Sequence, residues 1–208
     1  MSVKNISLFP CAETLISQYT SLMHSLGRIP KKSDFSPSFF VDIMGWMFIG
    51  QRSGNNHIAV EFLGSKLERA LGTDLTGQNM FSIYAEKEHQ NYNDFFEGLL
   101  STPCAGYNVR TVHAETGYTH NHQTIYFPVA DEEGTVNRVI GVVNLCAFLS
   151  EEAVTAQFIH ETTAQETPTH PDTKLLGHMD IGFGMPERKT IENITNAFPN
   201  IIPLKTVA

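Results

Sequence analysis

The sequence predicts an α+β domain in which a five-stranded antiparallel sheet carries helices on one face, preceded by an N-terminal helix and followed by a C-terminal tail. The first observation is the order of the patterns: two strand-like stretches, a group of helix-like stretches, and three more strand-like stretches. This order is typical of an antiparallel sheet whose helices are grouped together. The second observation is the run 139–145, which is apolar on both faces of a strand and therefore indicates a central strand.

A helix is predicted at residues 11–26. Its apolar residues recur at steps of three and four along the chain: Leu15, Ile16, Tyr19, Leu22, Met23 and Leu26. Gly27 is expected to end the helix, because glycine adopts the left-handed conformation at little steric cost. Such an apolar stripe must be buried, either against its own domain or against a partner chain.

The first two strands are predicted on either side of a turn. Residues 46–49 form an apolar run, and residues 53–56, Ser-Gly-Asn-Asn, have the composition of a turn. In the second strand Ile58, Val60 and Phe62 occupy alternate positions, which predicts that their side chains share one face.

Two helices are predicted next. Ser65 is expected to cap the first of them, with Glu68 three residues later completing a capping box, and Gly72 is expected to end it. The second helix is predicted at residues 86–101, where aromatic and leucine residues fall on one face.

The last three strands are predicted as a meander at residues 106–114, 119–129 and 136–148. The segment after the meander is less apolar. A helix is predicted from residue 150 to about 165, residues 167–172 are predicted as a loop, and residues 173–208 as a partly ordered tail with a helix only at 187–197.

Several short motifs, in this order, resemble a bacterial PAS-domain family. They are Arg28-Ile29-Pro30, Asp34-Phe35-Ser36-Pro37, Phe62-Leu63-Gly64-Ser65 and Leu71-Gly72-Thr73-Asp74-Leu75-Thr76-Gly77. The resemblance spans residues 28–148 and implies a sensory or scaffolding fold rather than an enzyme. It divides the chain into an N-terminal helical extension at 1–27, a PAS-like domain at 28–149, and a helix with a partly ordered tail at 150–208.

Composition and charge limit the partners and the compartment. The chain has 14 basic and 22 acidic residues and a formal net charge of -8, which argues against nucleic acid or an anionic membrane as its main partner. The N-terminal segment lacks the pattern of a signal peptide, and no apolar run has the roughly 20 residues that a membrane-spanning helix needs. Three scattered cysteines do not make a disulfide framework. These features predict a soluble, cytoplasmic protein.

The aromatic residues suggest a ligand pocket between the sheet and the helices. The candidate lining combines aromatic side chains with two polar residues inside strands: Trp46, Phe62, Phe81, Phe96, Arg110 and Asn144. Such a cavity would hold a small apolar ligand, with the two polar residues giving specificity if they point inward. The alternative is an ordinary packed core, since aromatic side chains are commonly buried for packing alone.

Histidines offer a second candidate site. His120 and His122 are two residues apart on a predicted strand, and His113 lies on the neighbouring strand, so the three could approach one metal ion. The polar residues around them favour the alternative of solvent-exposed histidines. Haem ligation by His89 or His113 is a further hypothesis, and the sequence identifies no cofactor.

The predicted function is that of a sensory or regulatory domain without catalytic output, which acts by contact with a separate signalling protein. A homodimer through the helix at 11–26 is a second prediction about partners. The alternatives are a sensor that binds haem or a metal, and a small α+β enzyme. The enzyme has little support, because the sequence contains no nucleophile elbow and no cysteine motif beside a base.

Overall fold

The described residues form one mixed sheet of seven strands. The structure is a computed structural model and describes residues 9–113, 119–144, 169–186 and 192–193. The strands are β1 (Met47–Gly54), β2 (His57–Leu63), β3 (Ala105–His113), β4 (Thr119–Ala130), β5 (Val136–Asn144), β6 (Thr169–Met179) and β7 (Glu192–Asn193). Their order across the sheet is β2-β1-β5-β4-β3-β6-β7.

The first five strands confirm the predicted α+β class. All of their pairings are antiparallel, and β5 lies between β1 and β4 as its apolar sequence predicts. The sheet has two strands more than predicted, because β6 pairs antiparallel with β3 and β7 pairs parallel with β6.

The prediction of a loop at residues 167–172 is wrong from Thr169 onwards, where β6 begins. The sequence of β6 contains a proline and several polar residues and shows no clear alternation, so it carries little strand signal of its own. It becomes a strand because the outer edge of β3 offers backbone groups that need partners. The predicted helices at 150–165 and 187–197 lie outside the described residues, apart from the two residues of β7.

Three α-helices cover the two faces of the sheet: α1 (Pro10–Leu26), α2 (Ser65–Leu71) and α3 (His89–Ser101). Helices α2 and α3 and a 3-10 turn at Met80–Ile83 pack on one face, and α1 packs on the other. In the part of the chain that the structure describes, no helix has the length and apolar character needed to cross a membrane.

The stripe of α1 is buried against the protein's own sheet. Leu15, Ile16, Tyr19 and Met23 are at most 1% exposed. The Tyr19 ring stacks on Phe127 of β4 with centroids 4.3 Å apart. Of the two possibilities that the sequence leaves open, the structure shows that the stripe is buried against its own domain.

The start of α2 differs from the prediction. Gly64, not Ser65, is the N-cap residue, and no side chain caps the helix, so the predicted capping box is wrong. Gly64 lies against the backbone carbonyls of Met44 and Gly45, and a Cβ there would come within 2.2 Å of the Met44 oxygen. The close approach of these two chain segments, rather than a hydroxyl, determines where α2 begins.

Two separate cores result from the alternation along each strand. On β4, Ile125 and Phe127 belong to the core under α1, whereas Tyr126 between them belongs to the core under α3. Successive residues of β4 therefore reach opposite faces of the sheet. The face under α3 carries the candidate site.

Candidate functional site

A buried polar cluster lies between the sheet and α3. The side-chain amide of Asn108 donates hydrogen bonds to the hydroxyl oxygens of Tyr92, at 3.2 Å, and Tyr126, at 2.9 Å. Asn108 and Tyr92 are fully buried, and Tyr126 is almost so. Burying a polar group is costly unless it is hydrogen-bonded, so these two hydrogen bonds stabilise the Asn108 amide in the core.

Strand and helix periodicity place the members of this cluster. Asn108 and Arg110 are two residues apart on β3 and so share the face under α3. Gly106, two residues earlier on the same face, leaves room for the helix. A Cβ at Gly106 would meet the ring of Phe95 at 2.5 Å and a methyl group of Leu99 at 2.6 Å. The missing side chain at Gly106 therefore allows α3 to lie directly on β3.

Arg110 connects β3 to the segment before α3. Its Nη2 donates a hydrogen bond to the carbonyl oxygen of Ile83 at 3.0 Å. Its guanidinium lies 4.9 Å from the ring centroid of Tyr84, which is a cation–π distance. Tyr84 in turn stacks on Tyr92 with centroids 3.7 Å apart. Arg110, Tyr84, Tyr92 and Asn108 are thus in continuous contact.

Aromatic rings enclose the cluster. Tyr126 makes edge contacts with Phe95 at 5.4 Å and with Phe96 at 5.5 Å. Phe81 belongs to the 3-10 turn that precedes α3, and its ring centroid lies 6.2 Å from that of Phe96. The surroundings of the polar groups are therefore apolar, which strengthens their electrostatic interactions.

Burial keeps the tyrosines of the site neutral. Burial raises the pKa of Tyr84 well above its ordinary value, and the nearby hydroxyls of Tyr126 and Tyr92 add to this. Burial likewise raises the pKa of Tyr126, against the lowering effect of its hydrogen bonds. Both phenols therefore act as neutral hydrogen-bonding groups and not as bases.

Two polar atoms of the cluster have no hydrogen-bond partner among the described residues. They are Oδ1 of Asn108, an acceptor, and Nε of Arg110, a donor, and both are buried. Asn108 is 0% exposed and Arg110 is 9% exposed. The site therefore retains one free acceptor and one free donor inside the aromatic enclosure.

The structure brings together four of the six candidate lining residues. Phe81, Phe96 and Arg110 lie on the face under α3, and Trp46 packs at the margin of the same core with the Lys66 ammonium 5.1 Å from its ring centroid. Phe62 and Asn144 lie on the opposite face, under α1. Asn144 pairs with Gln123, which alternates with Ile125 and so shares its face.

A β-bulge explains the position of Phe62. Val60 pairs with Gly50, but Phe62 pairs with Ile49, so Glu61 is an extra residue in β2. A bulge of this kind reverses the alternation of all residues beyond it. The prediction that Val60 and Phe62 share a face is therefore wrong: Val60 packs under α3 and Phe62 packs under α1.

Sequence reasoning missed Asn108, Tyr84 and Tyr126 as site residues. The available signal was the spacing of Asn108 and Arg110, two polar residues at alternate positions in a strand that packs on a helix. The tyrosines that contact these two residues lie in three other segments of the chain, so no local sequence pattern links the tyrosines to β3.

The histidine candidates are only partly described. His122 pairs with Arg110 and His120 pairs with Val112, but the side chains of His113 and His120 lie outside the described set. Nε2 of His89 is 3.1 Å from the carbonyl oxygen of Tyr84 and so is already engaged with the backbone. Among the side chains that the structure describes, no three His, Cys, Asp or Glu residues are grouped as metal ligands.

The fold defines the class of the protein: a small α+β domain in which an antiparallel sheet packs against short helices over a buried polar cluster. A sequence model of the family described as PAS domain matches residues 10–144, and the chain belongs to this family. The resemblance inferred from the motifs is thereby confirmed, and the match begins within α1. PAS-type folds are generally sensory rather than catalytic.

Solved structures give similar folds at low identity. VqmA bound to DPO, a Vibrio cholerae protein, is 16% identical, with 57% of this chain and 58% of that chain covered and a TM-score of 0.36. The light state of the blue-light photoreceptor Aureochrome1 LOV is 12% identical, with coverages of 57% and 92% and a TM-score of 0.36. An RNA-binding Light-Oxygen-Voltage receptor is 14% identical, with coverages of 65% and 42% and a TM-score of 0.38. No curated protein sequence matches the chain.

Proposed function

We propose that this PAS domain is a sensory or regulatory domain without catalytic activity of its own, which binds a small molecule at the Asn108–Arg110 cluster and acts by contact with a separate signalling protein. The observation that carries the proposal is a pair of buried polar atoms, Oδ1 of Asn108 and Nε of Arg110, that have no hydrogen-bond partner in the described part of the chain.

Energetics support a ligand at this position. A buried donor or acceptor without a partner costs about 1–3 kcal/mol, and the cost is larger for a charged group. An apolar residue at position 108 or 110 would avoid that cost. A small molecule that supplies one acceptor and one donor would satisfy both atoms and recover the free energy.

The contacts of Arg110 provide a route for the signal. Arg110 binds the Ile83 carbonyl at the end of the 3-10 turn, and Tyr84 directly after it stacks on Tyr92 of α3. A ligand that competes for the guanidinium would therefore alter the position of this turn and of α3. The partner would read that change on the outer surface of the turn and the helix.

The site's acid–base properties favour binding over catalysis. The raised pKa values of Tyr84 and Tyr126 leave both hydroxyls protonated at neutral pH. Neutral phenols and an amide can recognise a ligand by hydrogen bonds but cannot serve as a general base at this pH.

The remaining predictions about partners and organisation stay proposals. The stripe of α1 that suggested a homodimer is buried within the same chain, so a homodimer would use another surface. The net charge argues against nucleic acid, yet similar structures include an RNA-binding receptor and a VqmA–ligand–DNA complex. We retain residues 28–149 as the sensory unit, with α1 packed over its sheet, and a cytoplasmic location.

Native mass spectrometry of gently purified full-length protein tests the proposal. We expect an added small-molecule mass on the wild type, its loss in Asn108→Leu, and its retention in Arg52→Gln. Arg52 is a matched control because it lies at the rim of the same face, bonded to Asn93 and Glu97 rather than to the cluster. A visible absorbance spectrum of the same sample distinguishes a haem or other coloured cofactor. Wild-type protein that carries no added mass and binds no compound would contradict the proposal.

A further inference from the structure

We propose that Arg110 is a carboxylate anchor, so that the ligand of this domain is a small organic acid that also carries a hydroxyl or N–H group. The inference rests on the proposed function, because it names the chemical class of the molecule bound at the same cluster. Its basis is the charge of Arg110 and the absence of a carboxylate partner for it among the described residues.

Arg110 differs in its partners from two half-buried arginines, Arg52 and Arg138. Arg52 and Arg138 have side chains that are 10% and 15% exposed, and each forms an ion pair, with Glu97 and Glu61 respectively. Arg110 is 9% exposed, but its contacts within the described ranges are the Ile83 carbonyl and the Tyr84 ring. Among the described residues, Arg110 is thus a buried cation without an anionic partner.

A buried cation of this kind requires compensation. Removing an ionised group from water costs several kcal/mol unless an opposite charge and hydrogen bonds replace the lost hydration. The carbonyl dipole of Ile83 and the face of Tyr84 supply part of this. The Nε–H of Arg110 finds no acceptor within the described ranges. The planar guanidinium matches the geometry of a carboxylate, because two parallel hydrogen bonds can form between them.

Asn108 defines the second group of the ligand. Its Nδ2 is already committed to Tyr92 and Tyr126, so its free atom, Oδ1, is an acceptor and calls for a donor. Alternate residues of a strand are about 7 Å apart. A molecule that serves both side chains therefore carries a carboxylate at one end and a hydroxyl or N–H at a distance of a few bonds. The rings of Phe81 and Phe96 favour an apolar or aromatic body between the two groups.

Calorimetric titration with matched acids and amides tests this assignment. The probes are benzoate, para-hydroxybenzoate and lactate, each compared with its uncharged primary amide, titrated into full-length wild-type protein. We expect at least one acid to bind about ten- to a hundredfold more tightly than its amide, which is the effect of one to two charge-assisted hydrogen bonds. We also expect para-hydroxybenzoate to bind more tightly than benzoate, because only the former offers a donor to Asn108.

Variants locate the effect at Arg110. Arg110→Gln is expected to weaken acid binding about ten- to a hundredfold, to the level of the amide, whereas Arg110→Lys retains part of the affinity because it keeps the charge. Arg52→Gln serves as the control and is expected to leave acid binding unchanged. Circular dichroism and thermal unfolding report whether each variant folds. If Arg110→Gln does not fold, the acid–amide comparison on the wild type decides the question without it.

The outcomes separate this inference from the proposed function. Equal binding of acids and amides, or a neutral molecule found by native mass spectrometry, overturns the carboxylate assignment and leaves ligand sensing intact. An acidic molecule found bound to the wild type and absent from Arg110→Gln supports the assignment even if no probe acid binds. Protein that carries no molecule and binds none of the probes overturns both proposals.

Discussion

Arg28 and Asp34 form a forked ion pair that closes the segment between α1 and the sheet. Nη1 and Nη2 of Arg28 lie 2.7 and 3.1 Å from Oδ2 and Oδ1 of Asp34. The Asp34 carboxylate also accepts the backbone N–H of Lys31 at 2.7 Å. Both residues belong to the motifs by which the sequence resembles a PAS-domain family, so these motif residues have a structural role. They hold the segment whose Pro30 carbonyl bonds to Ala130 of β4.

The first prediction concerns the pH dependence of stability. The hydrogen bonds from Arg28 hold the pKa of Asp34 below its ordinary value of 3.8. A carboxyl whose pKa is lowered by folding stabilises the protein above its unfolded pKa, and this stabilisation is lost as the pH falls through its folded pKa. We therefore expect Asp34→Asn to lower the free energy of unfolding at neutral pH and the difference from the wild type to shrink below pH 3.8.

Urea unfolding at a series of pH values measures this difference. Asp42→Asn is the control, since Asp42 is an exposed carboxylate that forms no hydrogen bond with the described residues. A constant difference between the wild type and Asp34→Asn across the acid range would show that the ion pair does not stabilise the fold.

The second prediction concerns the attachment of α1. The Tyr19 hydroxyl donates a hydrogen bond to the carbonyl oxygen of Pro128 at 2.7 Å inside the core. Tyr19→Phe keeps the stacking on Phe127 but removes this buried hydrogen bond, so we expect the free energy of unfolding to fall by about 0.5–1.5 kcal/mol. Denaturant unfolding measures the loss.

The control, Thr14→Val, removes a surface hydroxyl of the same helix and is expected to change stability by less than about 0.5 kcal/mol. Equal effects of the two substitutions would argue against a specific role of the Tyr19 hydroxyl.

The third prediction is an energetic coupling between Asn108 and Tyr126. In a double-mutant cycle with Asn108→Leu and Tyr126→Phe, we expect a coupling of about 0.5–1.5 kcal/mol, the net contribution of one buried hydrogen bond. The control cycle pairs Asn108→Leu with Tyr19→Phe, which lies on the opposite face of the sheet, and should be additive within about 0.5 kcal/mol. Additivity in both cycles would mean that the amide–hydroxyl contact does not stabilise the fold.

The fourth prediction concerns the packing of α3 against the sheet. Gly106→Ala places a methyl group against the buried Phe95 ring and Leu99, at 2.5 and 2.6 Å. Overpacking of this kind costs about 1–3 kcal/mol and should displace α3 from the Asn108–Arg110 cluster. Thermal unfolding reports the first effect, and near-ultraviolet circular dichroism of the tyrosines reports the second.

Gly45→Ala is the control for this change. The three atoms nearest to a Cβ at Gly45 all belong to the flexible side chain of Lys66, the first at 3.1 Å, so the cost should stay below about 1 kcal/mol. If Gly106→Ala were tolerated as well as Gly45→Ala, α3 would have more freedom to move on the sheet than the structure indicates.

Local patterns predicted most of the elements but less of the site. Periodicity predicts β2, α1 and α3, because each repeats its apolar residues at the spacing of its own geometry, whereas continuous apolar runs predict β1 and β5. Of the candidate lining residues, Phe81, Phe96 and Arg110 lie on the face under α3. Phe62 lies on the opposite face, because the bulge at Glu61 is a feature of pairing between strands and leaves no mark on the alternation of one strand.

The sequence by itself determined the α+β class, the burial of the α1 stripe and the presence of polar residues within β3. These follow from side chains close in the chain, where spacing alone dictates which ones share a face. Only the tertiary structure decided that α1 covers the protein's own sheet, that β6 extends it, and that Asn108 meets Tyr92 and Tyr126. Such contacts join residues far apart in the chain, and backbone hydrogen bonds between strands, not any local period, determine which of them meet.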